Sequence, residues 1–236
     1  MLRQRARFLS ILVAAGTLAA GCSNAPSGRG PSHVERIPLP PDTMLCAEGE
    51  VGGYGGRFVI AATAAPKTFN PLLANETPSS DVTDRLFAGL ADYDNANQRD
   101  TPSLARSWET SPDGLVWTFH LRRGACFSDG HPITSGDVLF NFTAAYDSLL
   151  HPSVQDLLLV DGRRLDVTAP DSYTVVVRTP HPNPLLVARV SALRILPRHI
   201  LEPVYRAGRF QEAYNTSTPP ESIVCSGPWR IRPWSG

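Results

Sequence analysis

Four cysteines and six histidines are the side chains here best suited to bond-making chemistry. A thiolate beside an imidazole would be a nucleophile with its base. Closely spaced His and Cys would hold a metal. The spacing supports neither. Cys22, Cys46, Cys126 and Cys225 are scattered and form no C-x-x-C pair, so zinc-site and dithiol-redox readings lose their basis. Cys126 lies six residues after His120 and five before His131, in a turn-flanked segment, and is read as a buried or bridged sulfur. His33, His120, His131, His151, His181 and His199 include no i, i+4 pair, and His131, His151 and His181 each precede proline. That places these three in extended or turn backbone, and the histidines are read as structural or solvated. No G-x-S-x-G elbow occurs. Asp129, Asp137 and Asp147 read as a turn residue, a helix cap and a helix-face residue, so no paired-carboxylate site forms. Gly52, Gly53, Gly55 and Gly56 precede a strand-like run and lack the Lys-Ser/Thr of a phosphate loop. These side chains predict no catalytic site, no metal and no cofactor.

The bulk composition narrows the partner. Lys+Arg and Asp+Glu are equal at 22 each, and Lys67 is the single lysine. No basic excess points to nucleic acid. Hydrophobic residues at 42% and charged residues at 19% are those of an ordinary globular protein. Residues 1–21 stand apart: Arg3, Arg5 and Arg7 precede an uncharged apolar stretch over 8–20, and Ala19-Ala20-Gly21 leads into Cys22. This is the pattern of a secretory signal peptide, too short for a good membrane span. The Cys after small residues resembles a lipobox, whose thiol is acylated, although Ala19 stands where Leu is usual. A plain cleavable signal with an incidental Cys is the alternative. Cleavage would remove three Arg and no acid, leaving 19 basic against 22 acidic groups, net −3. Cys46, Cys126 and Cys225 then remain, so at most one bridge forms within the chain. Residues 22–50, rich in Ser, Pro and Gly, read as a flexible tether.

From there on, strands and helices follow without regular alternation. A strand-like run covers 57–63 and a loop 66–71. Val82, Leu86 and Leu90 make an apolar stripe that predicts a helix over 79–90, capped by Ser79 or Ser80. Residues 102–108 read as one or two helical turns. Asp113-Gly114 marks a turn, and 115–121 alternates as a half-buried strand with Leu115, Trp117, Phe119 and Leu121 on one face. Ser128-Asp129-Gly130 is a turn. Thr134 with Asp137 forms a capping-box pattern, opening a helix with the stripe Val138, Phe142, Ala145 and Leu149. Runs over 163–168 and 173–179 predict a hairpin turning at 169–172. A short helix covers 184–190, a helix interrupted by Pro203 covers 196–205, and a strand starts over 229–232. The sum is a mixed α+β, or irregular α/β, domain. Phe69, Asn70 and Asn75 are candidates for lining a groove.

The order of these segments resembles solute-binding protein family 5, the dipeptide, oligopeptide and nickel receptors of bacterial ABC importers. Gly56-Arg57-Phe58-Val59-Ile60 and Pro66-Lys67-Thr68-Phe69-Asn70-Pro71 resemble its opening strand and loop. Leu86-Phe87-Ala88-Gly89-Leu90 resembles its "F-E-G-L" helix end, with Ala88 replacing the acid. Pro102-Ser103-Leu104-Ala105 with Ser107-Trp108-Glu109, then residues 111–124, resemble "P-x-L-A-x-S-W-E" and "S-x-D-G-x-x-W-T-F-x-L-R-x-G". Phe127-Ser128-Asp129-Gly130 with Pro132-Ile133-Thr134 and Asp137-Val138 resembles "F-H-D-G-x-P-F-T-A-x-D-V". Leu196-Pro197-Arg198-His199 and Ser226-Gly227-Pro228-Trp229 resemble "L-P-K-H" and "T-G-P-Y". These matches keep the family's order over 56–232.

The resemblance implies a periplasmic-binding-protein-like lobe, residues 51–236, of the class with an extra small N-terminal subdomain, truncated before the second lobe. It implies a lipid-anchored, exported monomer, facing the periplasm or cell exterior, that binds a peptide or related small solute by hinge closure and serves an ABC permease. A truncated lipoprotein remnant without transport activity is the alternative. Asn75, Glu76 and Thr77 correspond to a stretch near the family's ligand cleft, and equally to a helix lead-in. Cys126 and Cys225 fall in segments of one lobe in the family, which makes a Cys126–Cys225 disulfide an expectation.

Overall fold

A strand with one apolar face must lay that face against something, and here most partner strands lie close along the chain. The computed structural model describes residues 59–232. In chain order they form α1 (Thr77–Leu86), β1 (Ala91–Asp94), β2 (Arg99–Pro102), β3 (Ala105–Thr110), β4 (Val116–Leu121), α2 (Ser135–Ala145), β5 (Leu159–Val160), β6 (Arg163–Arg164), β7 (Asp166–Asp171), β8 (Thr174–Arg178), α3 (Leu186–Ser191) and α4 (Arg198–Arg206), with 3-10 turns at Ser153–Leu158, Phe210–Glu212 and Pro220–Ser222. The predicted signal segment with Cys22, the tether with Cys46 and the glycine cluster lie outside the described residues.

The main sheet has the order β3-β4-β8-β7, antiparallel throughout. Its buried face carries Phe119, Leu121, Val175 and Val177, each at most 3% exposed. Burying such side chains contributes roughly 2 kcal/mol apiece. Trp108 sits opposite Phe119 in the β3–β4 register, their rings 6.3 Å apart. Gly114, at φ +70, makes the predicted turn between these strands. Helix α2 packs on β7 and β8 and against α4, while α3 packs on β1. Asp137 closes the first turn of α2 by accepting from the Thr134 N–H and hydroxyl, both at 2.9 Å. Val138, Phe142 and Ala145 face the core as the stripe predicts, but Leu149 lies beyond the helix end and is 80% exposed.

Other expectations give way to longer-range pairing. Residues 102–108 are not helical. Ala105–Thr110 is strand β3, because β4 offers a complete backbone ladder that a two-turn helix could not match. The 163–179 hairpin turns at Ser172-Tyr173 rather than 169–172: Asp171 pairs with Thr174, and the register shifts between Thr168 and Asp171. Pro203 does not interrupt α4, since the Ala207 N–H still bonds to the Pro203 carbonyl, at 3.1 Å. The strands expected at 57–63 and 229–232 are not formed among the described residues. Val59 and Ile60 have no described strand beside them and are 72% and 50% exposed, and Trp229 is 59% exposed. No described helix is long and apolar enough to cross a membrane.

Candidate functional site

The lead-in to α1 is built around Ser79, which is fully buried. Its hydroxyl oxygen accepts from the Lys67 N–H at 2.9 Å and the Thr68 N–H at 3.2 Å, and it donates to the Glu76 carboxylate. Glu76 is the N-cap, accepting from the Ser79 N–H at 3.3 Å. The hydrogen bond from the Ser79 side chain, joined by the Ser79 and Lys67 amides, holds the Glu76 carboxyl below the usual carboxylate range. The cap is therefore Glu76, one turn before the Ser79 or Ser80 expected, because Ser79 turns inward to close the loop. The helix correspondingly spans Thr77–Leu86 rather than 79–90. Asn75 and Thr77 flank the cap on the surface.

The loop before it is fastened to the far end of the chain. Thr68 pairs with Asn215, and the Phe69 N–H bonds to the Tyr214 carbonyl at 2.7 Å. Asn70 is fully buried and accepts from the Leu72 N–H at 3.1 Å. Phe69 is also buried. Neither residue lines a groove. Their work is to shape the turn that presents Asn75, Glu76 and Thr77.

Past α1, residues 86–91 run extended through a seam. The Gly227 N–H bonds to the Leu86 carbonyl at 2.8 Å, and the Ala88 N–H to the Ser226 hydroxyl at 3.1 Å. That hydroxyl donates to the Ile195 carbonyl at 2.7 Å, and the Ile195 N–H bonds to the Ala88 carbonyl at 2.9 Å. Gly89 and Gly227 are glycines by necessity. A Cβ on Gly89 would lie 2.2 Å from the Ser191 carbonyl oxygen, and one on Gly227 would lie 2.8 Å from the Arg85 and Leu86 carbonyls.

The 126–132 loop leans on the same seam. The Ser128 N–H bonds to the Cys225 carbonyl at 2.8 Å, and the Cys225 N–H to the Ser128 hydroxyl at 3.0 Å. The expected Cys126–Cys225 bridge is nevertheless not formed: both thiols are free, Cys126 on the surface and Cys225 buried. Neighbouring backbones do not suffice: the Cys126 sulfur lies at the surface by the Gly124 carbonyl and the Cys225 sulfur is buried by the Ile223 carbonyl, each at 3.4 Å. Burial pushes the Cys225 thiol up to about 11, which leaves it without a thiolate at neutral pH. Across the loop, His199 Nε2 lies 2.7 Å from Asp129 Oδ2 and its ring stacks on His131 at 3.9 Å. Partial burial raises the Asp129 carboxyl, but hydrogen bonds from His199 and the His131 amide outweigh it, and the group sits below its ordinary range. Among the described residues no group of three His, Cys, Asp or Glu is arranged to hold a metal ion.

The structure thus separates the sequence-predicted residues into two places: Asn75, Glu76 and Thr77 at the head of α1, and Cys126 and Cys225 beside its foot. The periodicity argument missed Ser226, Tyr214 and the Asp129–His199 pair. Only the recurrence of short motifs in a set order marked their neighbourhoods.

The model of the bacterial extracellular solute-binding proteins, family 5 middle, matches residues 101–236. The periplasmic oligopeptide-binding protein OppA of Haemophilus influenzae is 35% identical over 170 residues, covering 65% of this chain and 31% of that protein. A probable ABC transporter-binding protein of Deinococcus radiodurans is 29% identical, covering 75% of this chain and 30% of its own. The crystal structure of Haemophilus influenzae OppA in complex with RPPGFSPFR matches with a TM-score of 0.55 at 32% identity, over 64% of this chain and 32% of that one. Bacillus subtilis AppA in complex with a nonapeptide matches with a TM-score of 0.63 at 23% identity, over 74% and 33%, a likeness of fold. The chain spans about a third of the length of these relatives. With a family model matched over more than half its residues, this chain belongs to family 5 of the bacterial extracellular solute-binding proteins.

Proposed function

We propose that the chain supplies the N-terminal lobe of an exported substrate-binding lipoprotein of an ABC importer, which binds a peptide or related small solute and delivers it to the membrane permease. In this reading residues 1–21 are the signal peptide, Cys22 carries the lipid, 22–50 are the tether, and the folded lobe follows as a monomer. The observation that carries it is the likeness, at 32% identity, to the lobe of a receptor crystallised with a peptide. The site supports it too. Asn75, Glu76 and Thr77 stand at the surface on a loop braced by Ser79, Asn70 and Asn215, the kind of rigid mount that fixes a binding residue without activating it. Transport, not catalysis, fits these groups: the buried Cys225 is held as a thiol, and Cys126 bonds only weakly to the Gly124 carbonyl, at 3.4 Å.

The test is calorimetric titration of the natural gene product carrying residues 1–236 with a nonapeptide, a nickel chelate and an opine. One of them binding saturably at 1:1 and returning chemically unchanged is the expected result. Cleavage of the peptide, or failure of all three to bind, would overturn the reading. Labelling with palmitate in cells, lost in Cys22→Ser, tests the anchor separately.

A further inference from the structure

His199 is placed in an uncommon setting. It sits in the first turn of α4, with its Nε2 on the Asp129 carboxylate and one face covered by the His131 ring at 3.9 Å and an interplanar angle of 20°. The Phe127 ring closes another side at 5.6 Å. Its Nδ1 is buried and has no hydrogen-bond partner. Asp129 also accepts from the His131 backbone N–H at 3.0 Å, so one carboxylate holds the His199 ring and the His131 main chain.

We propose that Asp129, His131 and His199 form an acid-sensitive latch, which holds the 126–132 loop and the 223–227 segment onto α4 at neutral pH and releases them in mild acid. His199 Nε2 lies 2.7 Å from Asp129 Oδ2, and its ring stacks on that of His131. One added proton is balanced by the carboxylate. A second puts two imidazolium rings face to face at 3.9 Å, with a carboxylate on the His199 ring alone. It does so at a helix N-terminus, where positive charge is disfavoured. A protonated His199 also carries an Nδ1–H that is buried without an acceptor.

The other charged or titratable groups nearby do not relieve this. On α4, Glu202 is engaged by Arg198 and Arg206, and Arg198 adds positive charge. On α2, Asp137 is taken by Thr134 and the Arg198 amide. From the exit segment, Cys225 is a neutral buried thiol under the influence of Arg230, and burial keeps the Tyr214 phenol protonated. The release is transmitted because Ser128, next to Asp129, makes both hydrogen bonds to Cys225, two residues before the Gly227 that closes on α1.

The experiment is pH-dependent amide exchange on the full chain and on His131→Phe, which keeps a stacked ring without a charge. Exchange over 126–132 and 223–227, corrected for its intrinsic pH dependence, should rise about tenfold between about pH 7 and pH 5, while β4 and β8 stay unchanged. His131→Phe should abolish the rise. A wild type that does not open in acid, or an equal acid response in His131→Phe, would overturn the latch.

Discussion

The main sheet and the seam beneath α1 hold the lobe together by different means. In the sheet, β4 and β8 meet through a regular backbone ladder and an apolar face, so each residue repeats its neighbour's role two positions on. In the seam, residues 86–91 are gripped from 195 and 226–227 by single hydrogen bonds over more than a hundred residues of chain, through glycines that leave no space for a side chain. The sheet is strong because it is redundant. The seam depends on individual atoms. The stretch that the resemblance places near ligand, Asn75 to Thr77, stands at the other end of α1, on a loop that is likewise held by single bonds, to Ser79 and the Tyr214 carbonyl.

The sheet should show its redundancy as a loss proportional to volume. Phe119 is completely buried against Trp108, and Phe119→Ala should cost about 4 kcal/mol in urea unfolding while the strands remain paired. A loss of circular dichroism instead of a shifted midpoint would show that the ladder itself depends on this ring. The seam should respond to one methyl group. Gly89→Ala forces a carbon onto the Ser191 carbonyl and should cost about 3 kcal/mol. Gly130→Ala adds the same methyl where nothing lies within 4 Å, at φ +90, and should cost only about 1 kcal/mol. Equal effects at the two glycines would erase the distinction between seam and surface turn.

The same contrast decides what could be read from the sequence. Alternation over 115–121 and the Thr134–Asp137 box are local, and both elements form where expected. Residues 102–108 carry no such period, and only the partner strand turns them into β3. The seam has no period at all. Ser226 and Ile195 meet because the whole chain has folded, and no window of a dozen residues contains that fact. Motif order located the seam, yet could not orient its side chains, which is why Cys126 and Cys225 looked like partners and are not bonded. At the predicted binding stretch, Ser79 looked like a cap and is a buried brace, because its hydroxyl serves the 67–68 amides and Glu76 at once.

Alkali offers a probe of the seam. The Cys225 thiol is raised from 9.0 to about 11 by burial, so the unfolded chain ionises first. Its contribution to stability is fully present below pH 9 and is lost as pH rises through 11. The loss amounts to about 3 kcal/mol. Cys225→Ala should remove that share of the alkaline loss and leave the share due to Tyr146, Tyr205 and Tyr214, which are also raised. In native protein at pH 8, iodoacetamide should modify Cys126 and spare Cys225; modification of both at equal rates would mean that the seam opens readily.

The smallest effect is the most informative about function. Glu76 is an N-cap and also stands between the exposed Asn75 and Thr77. Its lowered carboxyl contributes stability that is present above 4.5 and lost as pH falls through the folded value. Glu76→Gln keeps an oxygen for the Ser79 amide and removes the charge. It should lower the unfolding midpoint by about 2 °C at neutral pH and by nothing in acid. A pure cap would show that shift and leave solute affinity unchanged in the full receptor. A residue that also meets ligand would weaken binding by about tenfold with the same 2 °C shift. The two outcomes separate a structural duty of the loop from the proposed binding duty, because the first is set by Ser79 and the second would be read only with solute present.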